Sequence, residues 1–203
     1  MMRTTGSARR FRPEPVPDEV LYRVLDDARF APSGGNRQGW RVIVIRDPEL
    51  RTAIRHIYLR SWEVYHLPVF KRTLDAVANP SDHFAQHLDE VPVHVLVLVD
   101  RRALVTTIEA LDCSNFVGGA SVYPFVQNIV LSLRAEGLGT TLSTVLIPVE
   151  AEVKQLLDIP DEYAVAAFLA VGWPERPFPT HLKRRPVEEF ATVDGFSGDA
   201  LRA

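Results

Sequence analysis

A polar loop near the N-terminus carries the residue types with the clearest chemical use. It runs Pro32-Ser33-Gly34-Gly35-Asn36-Arg37-Gln38 and is followed by Gly39-Trp40. Its glycines let backbone N–H groups approach a ligand closely, and its neutral side chains can donate and accept hydrogen bonds. It has neither paired charges nor metal ligands. The composition therefore favours holding a flat ring with amide edges over acid–base chemistry.

The chain offers little for metal or nucleophilic chemistry. His83 and His87 could share a helix face, but zinc needs three or four ligands, and the residues between them lack the glutamate of a zinc-protease helix. We interpret them as solvated histidines. The single cysteine, Cys113, has no histidine nearby in sequence and reads as an incidental thiol. Gly137-Leu138-Gly139 follows a predicted helix, and Leu142 occupies the third glycine position, which argues against a dinucleotide-binding turn.

Length and composition predict a single domain, 1–203, with a sizeable core, because 46% of the 203 residues are hydrophobic and 24% are charged. A net charge of -3 gives no electrostatic basis for binding nucleic acid or an anionic membrane. No apolar run approaches the roughly 18 residues that cross a bilayer. Prolines interrupt the early basic residues and no apolar region follows, so we expect no secretory leader. One cysteine excludes an internal disulfide and favours the cytoplasm.

Apolar periodicity predicts alternating helices and strands. Spacing of three and four residues is typical of amphipathic helices, and short runs of β-branched residues are typical of buried strands. The strand at 93–99 is almost continuously apolar, which indicates that both its faces are buried. The predicted helices cover 18–31, 48–66, 121–136 and 148–157, and the predicted strands cover 42–46, 93–99, 140–146 and 164–171.

Three further segments lack such regularity: a basic, proline-containing arm (1–17), an aromatic tract (60–90) and a long tail (174–203). We interpret 60–90 as a mobile flap or lid, broken near Asn79-Pro80; a helix–loop–helix covering the core is the alternative. Aromatic rings in the flap could stack on an aromatic substrate or belong to the core. The rings concerned are Trp62, Tyr65 and Phe70.

The loop and several later motifs resemble the nitroreductase family of FMN-dependent oxidoreductases. Residues 31–40 resemble its A-P-S-x-x-N-x-Q-P-W signature, with Gly39 in place of proline. Each motif is modest alone, but their order and spacing cover nearly the whole chain. The other matching motifs are Gln127-Asn128-Ile129, Gly137-Leu138-Gly139-Thr140, Leu156-Leu157-Asp158-Ile159-Pro160, Ala170-Val171-Gly172-Trp173-Pro174 and Lys183-x-Arg185.

The resemblance implies an architecture and an assembly. The fold would be α+β and three-layered, with a mostly antiparallel central sheet flanked by helices. Two copies would form an intertwined homodimer with FMN at the subunit interface. The tail, 174–203, would wrap around the partner subunit.

The resemblance also implies which residues hold FMN. The arm would contact the pyrimidine edge or the phosphate, the segment after the glycine pair would lie near N5 or O4, the polar loop would come from the other subunit, and two basic tail residues would bind the phosphate. Two positions depart from the family pattern: Gly6 stands where the family often has arginine, and Gly39, in place of proline, loosens the end of the loop. Both departures are expected to weaken the binding of FMN. The implied residues are Ser7, Arg9, Pro32, Ser33, Asn36, Gln38, Leu142, Ser143, Thr144, Lys183 and Arg185.

The implied activity passes hydride from NADH or NADPH through flavin N5 to an electron-poor acceptor such as a nitroaromatic or a quinone. The flavin carries the chemistry, so no protein nucleophile or metal is required. Three alternatives stay open. One is specialised family chemistry, namely flavin fragmentation, dehalogenation or dehydrogenation. The second is a non-catalytic FMN-binding or redox-sensing protein, and the third is a dimeric domain without a cofactor.

Overall fold

The computed structural model describes residues 1–71, 73–104 and 117–203, and of Tyr65 the backbone alone. Cys113 lies outside the described residues. In these ranges, four strands form one antiparallel sheet in the order β1-β2-β4-β3. Within the described part the helices are α1 (Asp18–Ala28), α2 (Pro48–Ser61), α3 (Leu67–Val69), α4 (Pro80–Gln86), α5 (Val117–Ala120), α6 (Tyr123–Ala135) and α7 (Glu150–Leu156). The strands are β1 (Trp40–Ile45), β2 (Val93–Asp100), β3 (Gly139–Ser143) and β4 (Tyr163–Gly172).

The sheet lies between two layers of helices, which confirms the predicted α+β class and the three-layer arrangement. Alternate residues of β2 point to opposite faces, as the geometry of a strand requires. Val95 and Val97 pack with α1 and α6, whereas Leu96 and Leu98 pack with α2, α4 and α7. The continuous apolar run of β2 is thus explained by burial on both sides, as predicted.

A β-bulge interrupts the pairing of β2 with β4. Val97 pairs with Ala167, but Leu98 pairs with Val165, so Ala166 is an extra residue on β4. Ala166 and Ala167 both belong to the core on the α6 side. The hydroxyl of Tyr123, at the start of α6, donates to the carbonyl of Ala166 at 3.3 Å. The bulge therefore gives α6 a backbone acceptor.

The backbone of the flap, 60–90, contains more helix than a mobile flap would have. α2 continues through a π-helical turn, Trp62–His66, into the short α3. Asn79 and Pro80, predicted to break the chain, instead begin α4: the Asn79 side chain accepts from the backbone N–H of Ser81 at 2.9 Å. The described part of this region thus contains helices on both sides of a loop, and its mobility stays a prediction.

The remaining predicted elements differ from the structure mainly at their ends. α1 stops at Ala28 rather than at residue 31, because the chain turns there into the polar loop. The tail carries one 3-10 turn, Val187–Glu189, and its side chains are mostly exposed. Among the described helices, none combines the length and the apolar character needed to cross a membrane.

Candidate cofactor site

The N-terminal arm is fastened to β3. The backbone N–H of Ala8 donates to the carbonyl of Thr140 at 3.0 Å, and the hydroxyl of Thr141 donates to the carbonyl of Ala8. The strand approaches closely because Gly139 has no side chain: a Cβ there would lie 2.7 Å from the Cβ of Ala8. These contacts hold the predicted site residues Ser7 and Arg9 beside the edge of the sheet.

A cavity of about 390 Å³ opens beside this arm. Ser7, Arg9 and Arg10 line one side of it, and Arg176 with Phe178 line the other. Several guanidinium groups around one cavity suit an anionic group such as a phosphate, since arginine binds phosphate through paired hydrogen bonds. Arg176 was not among the residues predicted for the site.

The end of β3 is held by the last turn of α2. The hydroxyls of Tyr58 and Ser143 are 3.0 Å apart, and the backbone N–H of Val145 donates to the Ser143 hydroxyl at 3.2 Å. The hydroxyl of Ser61 donates to the carbonyl of Val145 at 2.6 Å. Strand alternation leaves the neighbouring Leu142 42% exposed while Ser143 is buried. The segment predicted to approach the flavin is therefore fixed on one side by α2.

The charge of Arg9 reaches this end of β3. Burial raises the pKa of Tyr58 to about 12, while the hydrogen bond between Tyr58 and Ser143 and the positive charge of Arg9 act in the opposite direction. The phenol therefore keeps its proton throughout the physiological pH range. The arm and the end of β3 thus form one polar region.

The polar loop is held by its own hydrogen bonds. Ser33 accepts from the backbone N–H of Gln38 at 3.0 Å, and the amide of Gln38 donates to the side-chain oxygen of Asn36 at 3.1 Å. Gly35, Asn36 and Gln38 have φ values of 61°, 53° and 50°. Non-glycine residues seldom adopt this conformation, and such strain clusters at ligand-binding segments. The backbone N–H of Gly34 donates to the hydroxyl of Ser121 at 3.0 Å.

Gly39 is a point of close packing rather than a loose end of the loop. A Cβ at this position would lie 2.5 Å from the Cβ of Ala103. The Gly39 carbonyl accepts from the backbone N–H of Asp100 at 2.8 Å. The structure thus gives a steric reason for the absence of the family's proline.

One chain does not bring its own loop and arm together. The loop enters β1 at Trp40, whereas the arm lies along β3, and β1 and β3 are the two outer strands of the sheet. With adjacent strands about 4.8 Å apart, the outer strands are separated by about 14 Å. Trp40 and Thr140 also lie near opposite ends of the sheet. Trp40 is level with Ala164, near the start of β4, whereas Thr140 pairs with Val171, near its end. The predicted residues therefore form two half-sites.

The tail passes the arm before it reaches the basic pair. A Cβ on Gly6 would lie 3.2 Å from the side chain of Pro179 and 3.4 Å from that of Leu182. Lys183 and Arg185 follow directly and are exposed. The tail therefore lies close to Gly6 and leaves little space for the arginine that the family often has at this position.

The three candidate substrate residues have different surroundings. Trp62 is a core residue, 5% exposed, and its indole N–H donates to Asp82 at 2.8 Å. Phe70 is 60% exposed. The side chain of Tyr65 lies outside the described residues. An open groove of about 930 Å³ in the flap is lined by Leu67, Leu74 and polar neighbours.

His83 and His87 stack with their ring centroids 4.3 Å apart. His87 pairs with Glu90 at 2.8 Å. Burial, and then the nearby charge of Arg10, lower the pKa of His83. Among the residues that the structure describes, no group of three potential ligands surrounds a common point.

The fold and the arm region match one known family. The sequence model of the Nitroreductase family covers residues 2–173, and the chain belongs to this family. Its members are FMN-dependent oxidoreductases. The residues described above fit that cofactor: guanidinium groups suit its phosphate, and the backbone and side-chain amides of a polar loop suit the edge of its ring.

Individual relatives have several activities. The chain is 34% identical over 190 residues to "NADH dehydrogenase" of Thermus thermophilus, covering 90% of this chain and 88% of the relative. It is 32% identical over 181 residues to "5,6-dimethylbenzimidazole synthase" of Rhodospirillum rubrum, covering 84% and 80%. A crystal structure of oxidized iodotyrosine deiodinase bound to FMN and 3-iodo-L-tyrosine matches with a TM-score of 0.70 and 26% identity, covering 93% and 96%.

Proposed function

We propose that the protein is an FMN-dependent oxidoreductase that uses NADH or NADPH to reduce an electron-poor acceptor such as a nitroaromatic or a quinone. The observation that carries the proposal is the arm on β3, which keeps Ser7, Arg9 and Ser143 in one polar region of a chain that belongs to this family. When bound, FMN accepts hydride at N5 and passes the electrons on.

In this proposal, the residues of the chain bind and orient the flavin. Arg9 supplies positive charge to the ring edge or the phosphate, which favours a ring that gains negative charge. Ser143 supplies a hydroxyl, and it is flanked by two exposed residues, Leu142 on β3 and Thr144 directly after the strand. Lys183 and Arg185 contact the phosphate from the tail. No residue is required as a general base.

The proposed functional unit is a homodimer. Since the two half-sites lie at different edges of one sheet, a second copy supplies the polar loop, with Pro32, Ser33, Asn36 and Gln38, to the arm and β3 of the first. Large apolar side chains are exposed on the tail: Phe190 is 62% and Phe196 is 100% exposed. Covering them requires a partner surface, which supports a tail that wraps the other subunit.

The flap is the proposed site of acceptor choice, with Phe70 as the exposed aromatic residue available for stacking. The names of the relatives favour two alternative reactions, because a 5,6-dimethylbenzimidazole synthase is nearly as similar as an NADH dehydrogenase and an iodotyrosine deiodinase also matches. Flavin fragmentation or dehalogenation is therefore the second candidate. The single cysteine still favours a cytoplasmic location.

The visible absorption spectrum of the purified protein tests the cofactor, followed by release and identification of the bound flavin. We expect FMN at about one molecule per chain. Oxidation of NADH and NADPH is then followed with and without a quinone. Turnover that depends on the quinone supports the proposed reaction, whereas bound FMN without turnover supports a binding or sensing protein. A colourless protein that takes up no added FMN contradicts both.

A further inference from the structure

Tyr58 is a buried residue that neither the sequence motifs nor the proposed reaction explains. It lies in the last turn of α2, is 1% exposed, and is surrounded by aromatic rings. Trp62 stacks on it at 5.9 Å between ring centroids, and the edge of Phe84 meets it at 6.1 Å. Packing alone would be served as well by phenylalanine. Packing therefore does not explain why this residue carries a hydroxyl group.

That hydroxyl has a specific partner. Among the described residues, the Tyr58 hydroxyl is hydrogen-bonded to the hydroxyl of Ser143, 85 positions further along the chain. A buried phenol O–H without an acceptor is unfavourable. Ser143 is the acceptor that the structure offers, so Tyr58 donates and Ser143 accepts.

With Tyr58 as the donor, each hydrogen-bonding position of the Ser143 hydroxyl can be assigned. Its oxygen already accepts from the backbone N–H of Val145 and, on this assignment, from Tyr58. A serine hydroxyl has two acceptor positions and one proton. Both acceptor positions are filled, and the proton of Ser143 remains to be donated elsewhere.

We propose that Tyr58 is a positioning residue, which fixes the Ser143 hydroxyl as a hydrogen-bond donor toward the ring of the bound flavin. The inference rests on the proposed function, since it requires a flavin beside the end of β3. Burial keeps the phenol protonated, so the donor direction does not reverse with pH in the physiological range. Ser61 assists by donating to the carbonyl of Val145, which holds the same turn to α2.

The substitution Tyr58→Phe tests this, with Tyr163→Phe as the matched control. Both changes remove one phenol hydroxyl, but Tyr163 lies at the first residue of β4, away from Phe168, with which Ser143 pairs. We expect Tyr58→Phe to weaken FMN binding about two- to tenfold, the usual effect of losing one oriented hydrogen bond, and to shift the visible absorption band of the bound flavin. Tyr163→Phe should change neither. A purely structural role for Tyr58 would lower the melting temperature without moving the band.

Ser143→Ala provides a second, independent measurement. It should weaken FMN binding and shift the band at least as much as Tyr58→Phe, and the double variant should bind no more weakly than Ser143→Ala alone. Unchanged affinity and spectrum in Ser143→Ala, or effects of the two substitutions that simply add, would overturn the inference even if Tyr58→Phe fails to fold. Failure of the unaltered protein to bind FMN would instead contradict the proposed function itself.

Discussion

At position 94 a histidine is the second residue of the buried strand β2. It is fully buried, and one ring nitrogen, Nε2, is 2.8 Å from the carbonyl of Leu88. Because a carbonyl can only accept, Nε2 carries the proton of the neutral ring. Nδ1 has no hydrogen-bond partner among the residues that the structure describes. The ring is therefore held neutral in an environment that disfavours its charged form.

We expect His94 to make stability depend on pH. Burial lowers its pKa from 6.5 to about 4, with the Leu88 hydrogen bond partly opposing the shift. As pH falls below 6.5, the unfolded chain takes up the proton first, so the free energy of unfolding decreases until about pH 4 and changes no further for this group. The full loss is about 3 kcal/mol. Urea unfolding between pH 7.5 and pH 4 measures it.

His94→Gln isolates this contribution, since glutamine can donate to Leu88 but does not titrate in this range. The exposed His181, replaced by Gln, serves as the control. The slope of stability against pH should flatten in His94→Gln and persist in His181→Gln. Equal slopes in the two variants would show that other groups cause the acid sensitivity.

At the scale of elements, the loop before β1 depends on contacts that lie far away in sequence. Gly39 packs against Ala103, which belongs to the turn after β2. β1 and β2 pair from Trp40 to Ile45, so this contact closes the end of their ladder. The strained backbone of the polar loop is thus maintained by the sheet to which it leads.

Gly39→Ala should therefore disturb the loop. Its new Cβ would lie 2.5 Å from the Cβ of Ala103, a separation that forces the backbone to move. We expect a loss of about 1–3 kcal/mol in stability, as is usual for overpacking, together with weaker FMN binding. Thermal unfolding and titration with FMN measure the two effects. Gly195→Ala is the control, because no atom lies within 4 Å of the Cβ that it would add; a matching loss there would refute the steric explanation.

Much of the element order could be predicted because it depends on local pattern. The apolar run of β2 and the spacing along α6 reflect burial that the structure also has. The π-helical turn after α2 has no comparable signal, and Asn79-Pro80 is ambiguous, since the same pair ends one helix or caps another. The role of Tyr58 could not be predicted, because its partner lies 85 residues away.

On the scale of the whole molecule, the candidate site is divided. The arm and β3 form one half, and the loop before β1 forms the other, with β2 and β4 between them. The residues assigned to the two halves are predictions from the resemblance of the sequence motifs. Their separation within one chain depends on strand order, which no single motif encodes.

Complementation between defective chains tests the proposed dimer. Arg9→Ala damages the arm half and Asn36→Ala the loop half, so each homodimer should lose FMN affinity at both sites. Co-expressed, random pairing makes half of the dimers mixed, and each mixed dimer has one site with both halves intact. About a quarter of all sites should regain normal affinity. Titration of FMN into the mixture measures this fraction.

Two copies of the same variant, co-expressed with different tags, provide the control and should regain no FMN affinity. No recovery in the mixture of Arg9→Ala with Asn36→Ala, despite proven mixed dimers, would mean that each site is built from a single chain. Recovery well above a quarter would mean that one of the two residues is dispensable.

The extra residue at Ala166 has a consequence for how the two cores share one strand. Before the bulge, Val165 faces the α2 side; after it, Phe168 and Ala170 face that side, so the even–odd phase of β4 reverses within one strand. Deleting Ala166 would restore a regular ladder and leave Val165 opposite Leu98 on the face that it already occupies, because Ala166 and Ala167 both face the α6 side. A change of one residue in the length of β4 at this point therefore requires no exchange of side chains between the two cores.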